Sequence, residues 1–260
     1  MINPFFFGSS ERQLFGAYHP AVGGGLRGAI LCNPWGQEYL RSHPAMVFLA
    51  SLLSEQGMHT LRFDWHGTGD SSGECFEGGE PGSWAQDLEE AVTELKGMAN
   101  VKTIALVGLR MGAGVGAQLA QRRSDVDHLV LWDPVVDGAE YLDELIGVSR
   151  SDLSSAYPDH LAEGGDGIHE VSGFPLTPQM QKGIATLHPS LLRSGLPSTL
   201  LVSTVPEPDR YAVVREELDL GGGEWNEADF DGPVAWVEDG DFGTSGMPVA
   251  AIRRIVEYLA

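Results

Sequence analysis

Apolar positions along the chain follow two alternating rhythms. Short runs of β-branched and aliphatic residues predict strands at 28–32, 60–64, 103–109, 128–132, 198–204 and 234–238. Between them lie stretches with helical spacing, at 39–56, 83–98, 111–122, 139–146, near 208–218 and at 247–259. In the first of these Met46, Leu49, Leu52 and Leu53 share a face; in the second Trp84, Leu88, Ala91, Val92 and Leu95 do, with Ser83 as the expected N-cap. Two further runs, 4–8 and 13–19, flank a Gly-Ser-Ser turn and predict an antiparallel edge. Strands alternating with helices of this length predict an α/β domain over 1–260: a mostly parallel sheet with helices on both faces. The alternation breaks at 137–190, and an insertion there is expected to form a lid over the strand ends. Its Gly-, Ser- and Asp-rich part, 150–172, is expected to be the most mobile stretch.

The most informative stretch runs from Ile104 to Gly114, where an apolar run meets Gly108-Leu109-Arg110-Met111-Gly112. It reads as strand, sharp turn and helix, with glycines allowing tight reversal and close approach. The residue at its apex is Arg110, a permanent cation without a nucleophilic atom. In a parallel sheet ligands sit outside the carboxyl ends of the strands, and Asp64, His66, Arg110, Asp133 and Asp209 all follow predicted strands.

Charge narrows the partners. Lys and Arg number 16 against 37 Asp and Glu, a formal charge of −21. Such a surface repels phosphate backbones and anionic lipid, so neither nucleic acid nor membrane insertion is expected. Cys32 reads as a core cysteine; Cys75 lies in an acidic loop that disfavours its thiolate. No Cys/His spacing suggests a metal, and no glycine-rich dinucleotide motif suggests a cofactor. The first residues lack a basic segment followed by a long apolar core, so the expected location is cytoplasmic.

Four motifs together carry a family resemblance: Cys32-Asn33-Pro34-Trp35-Gly36-Gln37-Glu38, Leu61 to Ser71 with its His66-Gly67-Thr68-Gly69 turn, the arginine elbow, and Trp132-Asp133-Pro134 to Gly138. With Phe6-Phe7-Gly8 they make the chain similar to the α/β hydrolase superfamily over nearly its whole length. Within it, the chain most resembles the hydrolases associated with exosortase A systems, part of which carry an arginine elbow. The resemblance implies a nucleophile at position 110, an acid after a later strand and a histidine after the last. It also implies an oxyanion loop at Asn33–Gly36, with the amides of Trp35 and Met111 as donors.

The chain departs from that pattern twice. Arg110 stands in place of serine, and the last histidine is His188, well before the final predicted strand. A Ser-His-Asp mechanism therefore lacks two of its members. Arg110, His66, Asp133 and Asp209 remain as candidates for acid–base or electrostatic chemistry, and Asn33, Trp35, Met111 and His188 for substrate contacts. Arg110 is expected to pair with Asp133 or Asp209. Three readings follow: an enzyme acting non-covalently on a small acyl- or carboxylate-bearing substrate, with Arg110 as anion anchor; a pseudo-hydrolase that binds a small ligand; or a partner of another protein with a vestigial pocket. The retained oxyanion loop and the insertion favour the first. A pocket plugged by Arg110 and its acids would favour the third.

Overall fold

The computed structural model describes residues 2–260 except 75–79, 136, 157–168, 194, 206, 208 and 238–245, together with the backbone but not the side chains of 148–156 and 169. Cys75 and most of 150–172 lie outside the described residues, so the expectations placed on them stay untested.

Eight strands form one sheet. β1 (Asn3–Ser9) and β2 (Arg12–His19) pair antiparallel, and β2 pairs antiparallel with β4 (His59–Phe63). From there the sheet is parallel through β3 (Arg27–Cys32), β5 (Thr103–Leu109), β6 (Val126–Trp132), β9 (Ser198–Ser203) and β10 (Trp225–Asp229). A separate hairpin pairs β7 (His169–Val171) with β8 (Phe174–Leu176). Strand alternation divides the core. Ile104 and Leu106 of β5 enter one hydrophobic layer, under α2 (Pro81–Ala99), α3 (Met111–Ala120) and α6 (Ala212–Gly221). Ala105, Val107 and Leu109 enter the other, under α1 (Gly36–Glu55) and α7 (Val249–Leu259). Two more helices, α4 (Gly138–Ala156) and α5 (Pro178–Ile184), follow β6 and β8.

Three expectations are corrected. Glu80, not Ser83, caps α2: its carboxylate accepts from the Gly82 N–H at 2.9 Å, while Ser83 Oγ accepts from the Glu80 N–H at 3.4 Å. The helix after β6 is longer than 139–146, running over Gly138–Ala156. The last strand is Trp225–Asp229, not 234–238. Trp-Asn-Glu-Ala-Asp carries no apolar run because β10 is an edge strand, paired only with β9. The apolar Val234-Ala235-Trp236 instead packs as a loop, with Ala235 and Trp236 in the core.

The elbow has the expected close approach. A Cβ on Gly108 would lie 2.3 Å from Ala113 Cα, and one on Gly112 would lie 2.2 Å from the Cys32 carbonyl oxygen. Neither glycine has positive φ; the turn itself is made by Arg110, at φ 52° and ψ −121°. A non-glycine residue held there is strained by ~1–3 kcal/mol.

Candidate functional site

The end of β5 places Arg110 at the N-cap of α3, where its cation opposes the positive end of the helix dipole. Its backbone is anchored on both sides: N–H to the Trp132 carbonyl at 2.9 Å, and C=O from the Ala113 N–H at 3.1 Å. The side chain is 1% exposed. Its Nε donates to Glu38 Oε1 at 2.9 Å, and the second Glu38 oxygen accepts from the Tyr141 hydroxyl at 2.8 Å. The guanidinium lies 3.8 Å from the Trp236 ring centroid and 5.0 Å from that of Tyr141. Burial works against the Arg110 charge, but Glu38 and the groups around it more than offset this and hold it firmly protonated. Burial pushes the Glu38 carboxyl up, against the pull of Arg110 and the Tyr141 hydroxyl. Among the described residues, Arg110 Nη2 is buried without a hydrogen bond.

The expected partners of Arg110 are therefore replaced. Asp133 is also fully buried and at positive φ, 42°, but four neutral donors hold it. The Thr204 N–H reaches Oδ1 at 2.8 Å and the Tyr211 hydroxyl reaches it at 3.4 Å, while the Thr204 hydroxyl and Trp236 Nε1, the latter at 3.0 Å, reach Oδ2. Asp209 is exposed and accepts the Ala212 N–H through its carbonyl, at the start of α6. Glu38 went unrecognised as a partner, although it opens the buried face of α1 that continues through Ser42, Met46 and Leu49. An acid on that face was the available signal.

The remaining candidates take structural positions. His66 donates its backbone N–H to Asp87 Oδ2 at 2.9 Å, burial lowers its pKa, and no described contact joins it to Arg110. Asn33 is buried: its side-chain amide donates to the Phe63 carbonyl at 2.8 Å, and its backbone carbonyl accepts from Trp65 Nε1 at 2.9 Å. Its side chain thus braces the end of β4. The Met111 side chain is core. His188 is exposed and caps a short 3-10 turn, Pro189–Leu192, accepting the Ser190 N–H at 3.1 Å. Asp64 is structural, accepting from the Asp70 N–H at 3.0 Å and the Tyr39 hydroxyl at 2.8 Å. Cys32 is a buried free thiol whose pKa burial raises.

Trp35 stays at the site. It caps α1 and meets Phe174 edge-on, with centroids 5.9 Å apart. Trp35 borders two cavities. The larger, about 570 Å³, lies over the Arg110 cluster and is lined by Trp35, Glu38, Glu144, Arg210, Val234 and Trp236 among others. The smaller, about 410 Å³, is lined by Trp35, Tyr39, Thr68 and Phe174 among others, with no charged side chain among the described residues. Both are within the usual range for small-molecule sites, ~300–1,000 Å³. The loop that begins at Asn33 approaches the elbow closely: a Cβ on Gly112 would meet the backbone carbonyls of Cys32 and Asn33. Among the described residues no group of three His, Cys, Asp or Glu is arranged to hold a metal, and no helix is long and apolar enough to cross a membrane.

A sheet of this order, a strand–elbow–helix at its centre and a cavity over the elbow define an α/β hydrolase fold. A sequence profile described as serine aminopeptidase, S33, matches residues 45–175, half of the chain, and the chain belongs to that family. Similar solved structures share the fold. The Pyrococcus furiosus esterase Pf2001 is 16% identical, with TM-score 0.66 over 100% of this chain and 90% of its own. The proline iminopeptidase of Mycobacterium smegmatis is 14% identical, with TM-score 0.64 over 99% and 97%. Est1E of Butyrivibrio proteoclasticus, with ferulic acid bound, is 14% identical, with TM-score 0.66 over 98% and 97%. No curated protein matches the sequence.

Proposed function

We propose that this protein is a pseudo-hydrolase: an α/β hydrolase that has given up acyl transfer and binds a small acyl- or carboxylate-bearing molecule over the old active site. One observation carries the reading. The residue at the nucleophile position is Arg110, and Glu38, Tyr141 and Trp236 enclose it so that 1% of its side chain is exposed. A guanidinium held in this way has no nucleophilic atom with which to attack a carbonyl. Asp133 is held by its own donors, Asp209 is exposed, and no described contact joins His66 to Arg110, so the three do not complete a catalytic set around it. The cavity above remains large, which favours ligand binding over a purely structural role.

On this reading 137–190 is a cap: Tyr141 and Glu144 reach the Arg110 cluster, and the Ser172 carbonyl accepts from Gln37 Nε2 at 2.9 Å. The motif likeness to hydrolases of exosortase A systems supports a small-molecule role, and the strong acidity argues against nucleic-acid partners. A fluorophosphonate probe should leave the protein unlabelled, and p-nitrophenyl esters should turn over no faster than with an inert acidic protein. Stoichiometric labelling of any serine would overturn the proposal.

A second reading is favoured by Glu38, which lines the cavity and whose carboxyl burial pushes up. A carboxyl that faces the cavity and is hydrogen-bonded to Tyr141 is positioned to exchange a proton with a bound ligand, as lyase or isomerase chemistry requires. Turnover of a bound ligand that disappears in Glu38→Gln, with binding retained, would establish this reading over the first.

A further inference from the structure

We propose that the larger cavity takes an amphipathic monocarboxylate, and that Glu144 occupies the place of its acid group when the ligand is absent. This rests on the reading of that cavity as the binding site, and it names the chemistry recognised there.

The starting observation is the unused donor on Arg110. Its Nη2 is buried and lacks a hydrogen-bond partner among the described residues. Glu144 Oε2 stands 3.5 Å from it, and the same oxygen stands 3.5 Å from Arg210 Nη2. Charge-assisted N–H···O bonds run ~2.7–2.9 Å. Glu144 therefore neutralises two guanidiniums while bonding closely to neither. Its side chain is 41% exposed, against 1% for Arg110 and 23% for Arg210. The arginines are the more buried members: Glu38 and the Trp236 face hold Arg110, and the Arg210 guanidinium also lies over Trp236, 5.9 Å from the ring centroid. Two Nη2 groups converging on one oxygen form a carboxylate seat, and the acid now in it is the most exposed of the three.

The seat opens onto the cavity, because Glu144, Arg210 and Trp236 all line it. Leu145, Val171 and Val205 supply an apolar wall for the body of the ligand. An entering carboxylate replaces one negative charge with another, so the arginines never lose their counter-charge, and Glu144 turns to water. A neutral amide makes no such exchange. A doubly charged phosphate is disfavoured by Glu38 and Glu207 in the same lining.

Calorimetric titration with octanoate and with octanamide tests this, on the wild type and on Glu144→Ala and Arg210→Met, each checked for folding by thermal melting. Octanoate should bind the wild type about tenfold or more tightly than octanamide. Glu144→Ala should tighten octanoate and leave octanamide unchanged, because only the acid competes with the removed side chain. Arg210→Met should erase the preference. If both probes bind alike in all three proteins, the carboxylate seat is wrong while the cavity remains a binding site. If neither probe binds any of the three, the proposal and the binding reading beneath it both fall.

Discussion

The ends of β5 and β6 lie side by side in the sheet and carry opposite charges, yet the two residues do not pair. Arg110 and Asp133 are both fully buried and both at positive φ, 52° and 42°. Asp133 is surrounded by donors from Thr204, Tyr211 and Trp236 and needs no cation. Arg110 takes its charge partner from α1 and its flanks from aromatic rings, and keeps one donor unused. Trp236 serves both, giving its N–H to Asp133 and its ring face to Arg110. A small carboxylate is satisfied by neutral hydrogen bonds within a short radius. A long forked cation spreads its demands further and reaches the cavity edge. The anion is thereby a structural pin, and the cation stays the group with unmet capacity.

Removing the cation should have the largest effect. Arg110→Ala leaves Glu38 buried and uncompensated, and should cost ~3–5 kcal/mol in urea unfolding. A loss below ~1 kcal/mol would mean that the pair contributes nothing net. Arg110→Ser should be similarly destabilised and gain no esterase activity, because no histidine follows His188.

Asp133→Asn comes next. The amide keeps one acceptor but turns an N–H toward existing donors, at a cost of ~1–3 kcal/mol by the same measurement. The Trp236 emission should shift as its ring loosens over Arg110. Unchanged stability would show that the four donors do not define this side of the comparison.

Arg110→Met with Glu38→Gln removes both charges and retains an acceptor for Tyr141. It should recover most of the Arg110→Ala loss, ending within ~1 kcal/mol of wild type. A double variant as unstable as Arg110→Ala would place the cost in lost packing against Trp236 rather than in a stranded charge.

The smallest effect concerns pH. Burial raises the folded carboxyl of Glu38 above its ordinary 4.5. Its contribution is then fullest below that value and declines as pH rises through the folded one. The stability of wild type relative to Glu38→Gln should therefore fall over the interval in which pH rises above 4.5. A rise over that interval would show that the Arg110 charge outweighs burial.

Much of this was visible before any coordinates. The central strands, the elbow and its two close-approach glycines follow from apolar run length and from residues too small to hold two backbones apart. The strain at position 110 was also readable, since the turn needs positive φ wherever the apex residue falls. Edge strand β10 was hidden, because a strand with a single neighbour needs no apolar run, and Val234–Trp236 imitated one. Glu38 was half visible, an acid on the buried face of α1, but nothing local showed which cation it met.

The sequence by itself determined the fold class, the absence of a serine at the elbow and the lack of a histidine after position 188, because these depend on local pattern and on residue identity. Only the tertiary structure decided that Arg110 faces Glu38 rather than Asp133, that Trp236 covers it, and that Glu144 bridges it to Arg210. Those partners come from four separate segments, and ion pairing acts through distance in space, which neither spacing nor periodicity along the chain encodes.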